Sequence, residues 1–541
     1  MKIKYTATTL AIACTFPLTA GAAPAVPAPG DSLPPTPPKE NTITDNLPGA
    51  GQEVGQARFT LTRITVEHEG LVLNEGKLQE LTAPIIGREI TQTELNEALD
   101  KITAYARHKG YPAATAYIPA QTAEWGRLRV AIAPGRFGRI TLENDSRLKS
   151  RIAEGYFAGL KHGDIIKTRE VEAAMRKLQN ITGVEVGGVL SPGSGPGESD
   201  FLIRVADSKA NSLIVYAENY GSKSAGRYRY GLQGELGNLG GSGAKVDLGL
   251  LISNKHQHGY NLSAEMPVGH SGTHIGLGYS RSDYELGSLA QALGAEGVAD
   301  TWSIYGRTPI FDTGNGSMEL KYGYDYRDIT DELTRFNWSW KKHSHVFHLG
   351  VDGTGHLPTT WLHYDLTLHA GTLVPDSQEA RDLAALDNSD GHFTKGTLDL
   401  TAVQRLGHAT DILCKFSAQK AASNLDSSEH IYLGGAHGVR AYPQGEASGD
   451  EGLMGTMELR WHTPLKGLTL STYLDAGHVE IARSGDEGSM TLKGWGVGLA
   501  YTKPNNWFAR LDYARRIGSD ELMSKEAESK GRIWFMAGKV F

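Results

Sequence analysis

Met318-Glu319-Leu320-Lys321-Tyr322-Gly323-Tyr324-Asp325-Tyr326 alternates without a break. Successive side chains of a strand point to opposite faces. Met318, Leu320, Tyr322, Tyr324 and Tyr326 therefore share one face, and Glu319, Lys321, Gly323 and Asp325 share the other. Val246, Leu248, Leu250 and Ile252 alternate in the same way with Lys245, Asp247 and Gly249. Trp495, Val497, Leu499 and Tyr501 alternate with Gly494, Gly496, Gly498 and Ala500. Such segments recur from 210 to 541, separated by Gly, Asn, Asp and Ser. One face is apolar and aromatic and the other is charged or small, as expected for barrel strands with lipid outside and a polar lumen within. A soluble sandwich alternates too, with its polar face outside. The tyrosine-rich faces, a secretory leader and the end of the chain favour the membrane barrel. That end carries Ile533, Phe535, Ala537 and Phe541 on one face. Lys539 interrupts the face, and a lysine there can snorkel to the interface.

The leader lies at 1–22. Lys2 and Lys4 supply a positive start, Tyr5 to Leu18 is mostly apolar, and Ala20-Gly21-Ala22 offers a small-residue cleavage site. Lipidation at Cys14 is a lesser alternative, because the apolar run before it is short. Beyond the leader no apolar run reaches the roughly 18 residues of a membrane-spanning helix, so any span must be a closed barrel, which leaves no strand edge in lipid. The chain has 541 residues, 66 of them glycine, and a net charge of -7 with no basic run that suggests nucleic acid. The 2 cysteines are Cys14 and Cys414. A mature chain keeps only Cys414, which forms no disulfide within the chain and reads as a small packing residue.

Residues 23–56 read as a proline-rich linker and a flexible tether: eight prolines between Pro24 and Pro48 favour extended backbone, and few apolar residues are present to form a core. Residues 57–135 read as a small α/β module. Phe59, Leu61, Ile64 and Val66 mark a first strand, and Thr91 with Glu94 forms a capping box. Leu95, Leu99, Ile102 and Ala106 follow at helical spacing, Gly110 and Pro112 stop that helix, and Leu128, Val130 and Ile132 close the module. Residues 136–209 repeat the plan. Phe137, Ile140 and Leu142 mark a strand, Val171, Met175, Leu178 and Ile181 a helical stripe ended by Gly183, and Phe201, Ile203 and Val205 a last strand. These stripes are core.

The most specific stretch is Leu433-Gly434-Gly435-Ala436-His437-Gly438-Val439-Arg440-Ala441-Tyr442-Pro443, followed by Gly445 to Gly452 and by Glu458-Leu459-Arg460. It resembles the loop motif of two-partner secretion transporters, which export haemolysins, adhesins and contact-dependent toxins. Tyr473-Leu474-Asp475-Ala476-Gly477 resembles that family's barrel-wall motif. Parity independently turns Tyr473, Asp475 and Gly477 to the lumen, with Leu468, Leu470, Leu474 and Ala476 toward lipid. The resemblance implies that a loop around 433–452 folds back into the barrel, with Gly434, Gly435, Val439, Arg440, Ala441 and Tyr442 as its motif. It also implies that Arg440 pairs with Asp475. The chemistry agrees, since a carboxylate in a narrow lumen is costly unless paired and a guanidinium fork fits it with two hydrogen bonds. One departure stands out: Ala441 occupies a position where the family often has glycine, so its backbone must avoid positive φ or bear strain.

The resemblance covers nearly all of the mature chain. It implies that 57–135 and 136–209 are paired periplasmic POTRA-like domains that receive an unfolded partner, and that 210–541 is a transmembrane antiparallel β-barrel of sixteen strands in a Gram-negative outer membrane. Glu218-Asn219-Tyr220-Gly221-Ser222 resembles the barrel's opening, and Met266-Pro267-Val268-Gly269 with Tyr279 to Tyr284 an early strand pair. The family often carries an N-terminal plug helix, and 24–56 shows no amphipathic helical pattern. The partners expected are outer-membrane lipid and one secreted protein, with the transporter monomeric.

No P-loop, GxGxxG, HExxH or GxSxG motif occurs, so neither catalytic residues nor a cofactor are expected. His256 with His258, and His343, His345 with His348, suggest a metal, yet no cysteine or carboxylate partner stands at a known ligand spacing, and solvated loop or lumen histidines are the preferred reading. The rivals are a factor that inserts other barrels, which usually carries more periplasmic modules, and a passive porin, which needs none. An outer-membrane hydrolase would require a nucleophile with a base nearby.

Overall fold

The computed structural model describes residues 42–45 and 58–541, apart from 122–124, 224, 256, 286–294, 484–487 and 519–528. The leader at 1–22, most of the linker at 23–56 and His256 fall outside the described residues.

The first module has a three-stranded sheet in which Arg127–Ala133 lies between Arg63–Glu67 and Thr115–Tyr117. A separate pair, Arg58–Thr60 with Glu89–Thr91, stands beside it. The expected single first strand is therefore two, broken where the Thr62 amide turns to the Gly126 carbonyl (2.8 Å). Helix Gln92–His108 begins at the expected capping box, with both reciprocal bonds between Thr91 and Glu94 formed. The Thr91 backbone amide, and after it the Arg88 guanidinium, hold the Glu94 carboxyl below its usual range. Leu95, Leu99, Ile102 and Ala106 face the core with Leu128, Val130 and Ile132.

The second module repeats this plan around Phe137, Met175, Leu178, Phe201 and Ile203. Its sheet runs in the order Thr42–Asp45, Val184–Pro192, Glu198–Asp207, Arg136–Asn144. Thr42–Asp45 corrects the tether reading: four residues of the linker are a strand, parallel to Gly187–Leu190. Extended backbone beside an open sheet edge finds ladder partners that a tether in water lacks. The module packs against the near end of the barrel. Arg176 meets the Asp312 carboxylate at 3.3 Å, the Lys149 amide donates to the Gly241 carbonyl, and Tyr156 meets His270 edge-on.

Sixteen antiparallel strands close the barrel, from Asn211–Glu218 to Gly531–Val540, and these two pair with each other. Alternation settles which face each residue takes. Phe347, Leu349, Leu366, Leu368 and Leu474 are exposed outside, while Asp325, Arg327, Thr367, His369 and Asp475 are buried inside. Connections at the module end are short, such as 269–272 and 314–315; the long ones, such as 422–450, leave the other end. Parity also divides the histidine set. His348 is buried in the lumen, 3.5 Å from Asp325, whereas His343 and His345 share the outer face with Phe347, His343 beside Asp376 near the strand end. Cys414 is corrected as well. It is free and exposed on the outer face, not packed in a core, because it alternates with the buried Leu413. Lys539 sits over the rings of Trp507 and Phe541, at 5.3 and 4.4 Å, a cation–π arrangement suited to an interface.

Candidate functional site: a loop seated inside the barrel

The connection between strands Thr410–Ala421 and Glu451–His462 turns inward. Its arms, Ile431–Tyr432 and Ser448–Gly449, pair as a small antiparallel ribbon. Glu451 and Gly452, expected within the loop, belong to the wall strand. The motif residues shape a tight turn at the tip. A side chain on Gly434 would strike the Pro443 carbonyl, and Gly435 takes φ +111°, a conformation that suits glycine. Leu433, Val439, Ala441 and Tyr442 are buried against Tyr473, Val479 and Leu492 of the wall. Ala441 is absent from the described non-glycine residues at positive φ, so its side chain brings no backbone strain. Wall glycines make room for the tip. Gly494 faces the Ala441 methyl, Gly477 lies against Leu433, and Gly496 lies under the ring of Tyr473.

The structure brings Arg440 and Asp475 together. Arg440 donates from Nε to Asp475 Oδ2 (2.9 Å), from Nη2 to Oδ1 (2.8 Å) and from its backbone amide to Oδ2 (3.1 Å). Thr456 Oγ1 donates to Asp475 Oδ1 at 2.9 Å. The guanidinium carbon lies over the Tyr473 ring, 3.1 Å from its centroid. Asp475 and Tyr473 are each only 2% exposed, so this pair has left bulk water and needs all of these bonds.

Sequence reasoning missed the rest of the cluster. Arg440 Nη1 also reaches Glu458 Oε2 at 3.0 Å and Asp512 Oδ1 at 3.5 Å. Arg510 bonds the same two carboxylates, Glu458 at 3.0 Å and Asp512 at 2.7 Å. Three carboxylates thus share two guanidiniums. The Arg440 carbonyl accepts a hydrogen bond from Trp534 Nε1 at 2.6 Å, and Tyr220 meets both His437 and Trp534 edge-on. The tip is thereby tied to the last strand and to the connection just after the first as well. Parity alone could have turned Glu458, Arg510 and Asp512 to the lumen, but nothing in the sequence says that they meet. Asn219, in the segment read as the barrel's opening, donates from Nδ2 to the Ile533 carbonyl at 2.9 Å across the closing seam.

A closed sixteen-strand barrel, an inward loop on an arginine–aspartate seat and paired α/β modules at one end define an outer-membrane transporter with POTRA domains. The haemolysin secretion/activation protein family ShlB/FhaC/HecB matches residues 197–501, and the ShlB-type POTRA domain matches 59–135. This chain belongs to that family and is an outer-membrane transporter of two-partner secretion. It is 26% identical to the heme/hemopexin transporter protein HuxB of Haemophilus influenzae, over 92% of this chain and 90% of that protein. It is 24% identical to the outer membrane transporter CdiB of Dickeya dadantii, over 84% of this chain and 81% of that one. CdiB from Escherichia coli shares the fold, with a TM-score of 0.69 at 20% identity over 99% of this chain and 96% of its own. Membership places the chain among protein secretors rather than barrel-insertion factors or porins. The proteins of this family are transporters.

Proposed function

We propose that this transporter works as a monomer that receives one large haemolysin-, adhesin- or toxin-like protein, unfolded, in the periplasm. On this reading the leader at 1–22 is removed, 57–135 and 136–209 are the receiving domains, and 210–541 is the conduit. Arg440 and Asp475 seat the loop, and the seated loop sets whether the lumen is open. The observation that carries the reading is the loop tip itself, whose Arg440 sits in a cluster with four charged side chains and a tryptophan of the barrel wall. A path lined by paired charges offers polar backbone a wet route, and a loop on such a seat closes it at rest and holds it in the order that export needs, so that an unseated loop leaks ions and exports poorly.

The receiving step uses a sheet edge, where an extended segment adds as a strand through main-chain hydrogen bonds. In the second module one edge already holds Thr42–Asp45. In the first, Arg63–Glu67 is an edge strand with Thr65 exposed, and the partner's segment pairs there. A photo-crosslinking amino acid at Thr65, in cells that co-express a partner carrying a tightly folded C-terminal fusion that stalls export, is expected to capture the partner. The same probe at Asp100, on the exposed face of helix Gln92–His108, is expected to capture none. Equal capture at both sites, or none at Thr65, rejects strand addition at this edge.

A further inference from the structure

The loop has a second charged anchorage, at its root. Just before the ribbon, Ser427–Glu429 forms one 3-10 turn capped by Asp426, whose carboxylate accepts the Ser428 amide at 3.0 Å. Asp426, extended at the N-cap, and Glu429, at the end of the turn, both meet cations of the wall. Glu429 is 2% exposed. Its Oε1 accepts from Arg327 Nη1 at 2.6 Å and its Oε2 from Lys395 Nζ at 2.8 Å. Both Asp426 oxygens accept from Lys342 Nζ at 2.9 Å. The Glu429 carbonyl takes two more donors, Lys395 Nζ and Gln419 Nε2, each at 2.8 Å.

These basic residues stand on strands Gly316–Leu333, Trp338–His356 and Gly391–Arg405. The seat of Arg440 is built from Glu451–His462, Leu468–Glu480 and Trp507–Arg516, on another arc of the wall. The two anchorages hold opposite charges of the loop: the wall grips an arginine at the tip through carboxylates, and two carboxylates at the root through cations. A loop held only at its tip leaves its root free to shift. Held at both ends, it has one position.

We infer that Asp426 and Glu429, gripped by Arg327, Lys342 and Lys395, form a second anchor that positions the loop and keeps the resting lumen closed. The inference rests on the reading that the seated loop sets the state of the lumen. It is independent of which partner is exported. Uncharged replacement of either root carboxylate takes a close counter-charge from buried wall cations, Arg327 then keeping Asp325 at 4.0 Å, which is costly. The loop root then leaves its place and the lumen opens.

The test is the resting conductance of the purified full-length protein in planar lipid bilayers, with Arg440→Ala as the reference for loss of the tip seat. Glu429→Gln and Asp426→Asn are each expected to raise conductance several-fold over the unaltered protein. Glu429→Asp, which keeps the charge but is shorter, should stay near the unaltered level, although glutamine matches glutamate better in shape. Wild-type conductance in both Glu429→Gln and Asp426→Asn, with Arg440→Ala raised, overturns the second anchor and leaves the tip seat standing. No rise in any of the three overturns both. Equal leak from Glu429→Asp and Glu429→Gln overturns the electrostatic basis. Should Glu429→Gln fail to insert, Asp426→Asn carries the decision, because asparagine keeps an oxygen for the Ser428 cap and removes the charge that faces Lys342.

Discussion

Arg440→Ala is expected to reduce secretion of the partner by about tenfold or more, because removing one member of a buried ion pair leaves its partner uncompensated and unseats the loop tip, while the barrel still inserts. The guanidinium makes both side-chain bonds to Asp475 and a third to Glu458. Without it Asp475 keeps only the Thr456 hydroxyl and a backbone amide. Arg510 is left to offset three carboxylates where two guanidiniums did so before. The wall strands have their own ladders, so the barrel stands while the tip loses its seat. Arg440→Lys should recover little, because a single ammonium cannot supply a planar fork to Asp475 and reach Glu458 as well. Secretion is read from the medium, and insertion from the heat-dependent gel mobility of outer-membrane fractions. Unimpaired secretion by Arg440→Ala would remove the seat as a working element.

Deleting 57–135 is expected to abolish recognition of the partner and leave a folded barrel in the membrane. The first module encloses an apolar core from Leu61 to Ile132, against which Ile165 of the second module packs, and it gives Ala113 to the second module's core. Among the described residues, the second module makes the bonds to the barrel through Arg176 and Lys149. Loss of the first module therefore removes an edge strand for the partner without disturbing the junction. Capture of the partner by the purified deletion variant, compared with the intact chain, checks the recognition step separately from export. Normal capture and secretion by the variant would assign recognition elsewhere.

The sequence revealed faces more readily than elements. Alternation put Glu319, Lys321 and Asp325 opposite Leu320 and Tyr324 because a strand has one repeat and lipid tolerates one kind of face. The same parity placed Asp475 in the lumen, and the loop motif drew attention to Arg440. The number of strands came from the family resemblance, since period two does not count strands. Strand Val184–Pro192 escaped notice because Gly187 and Gly188 dilute its alternation. The structure explains one of them: a side chain at Gly188 would strike the Phe201 ring. The short helices Ser150–Phe157 and Gln378–Asp387 span too few turns to show a periodic stripe. Glu429 with Arg327 and Arg440 with Glu458 join residues distant in sequence, and only barrel closure brings them together. Thr42–Asp45 owes its strand to a partner edge, not to its own composition.

The most direct test of the account is a secretion assay. This chain is expressed together with the product of the adjacent large gene, in cells where the barrel is verified in the outer membrane, and the medium is assayed for that product. The account predicts that the product reaches the medium only when this chain is present. Its equal appearance without the chain, or its retention in the periplasm despite an inserted barrel, would contradict the account.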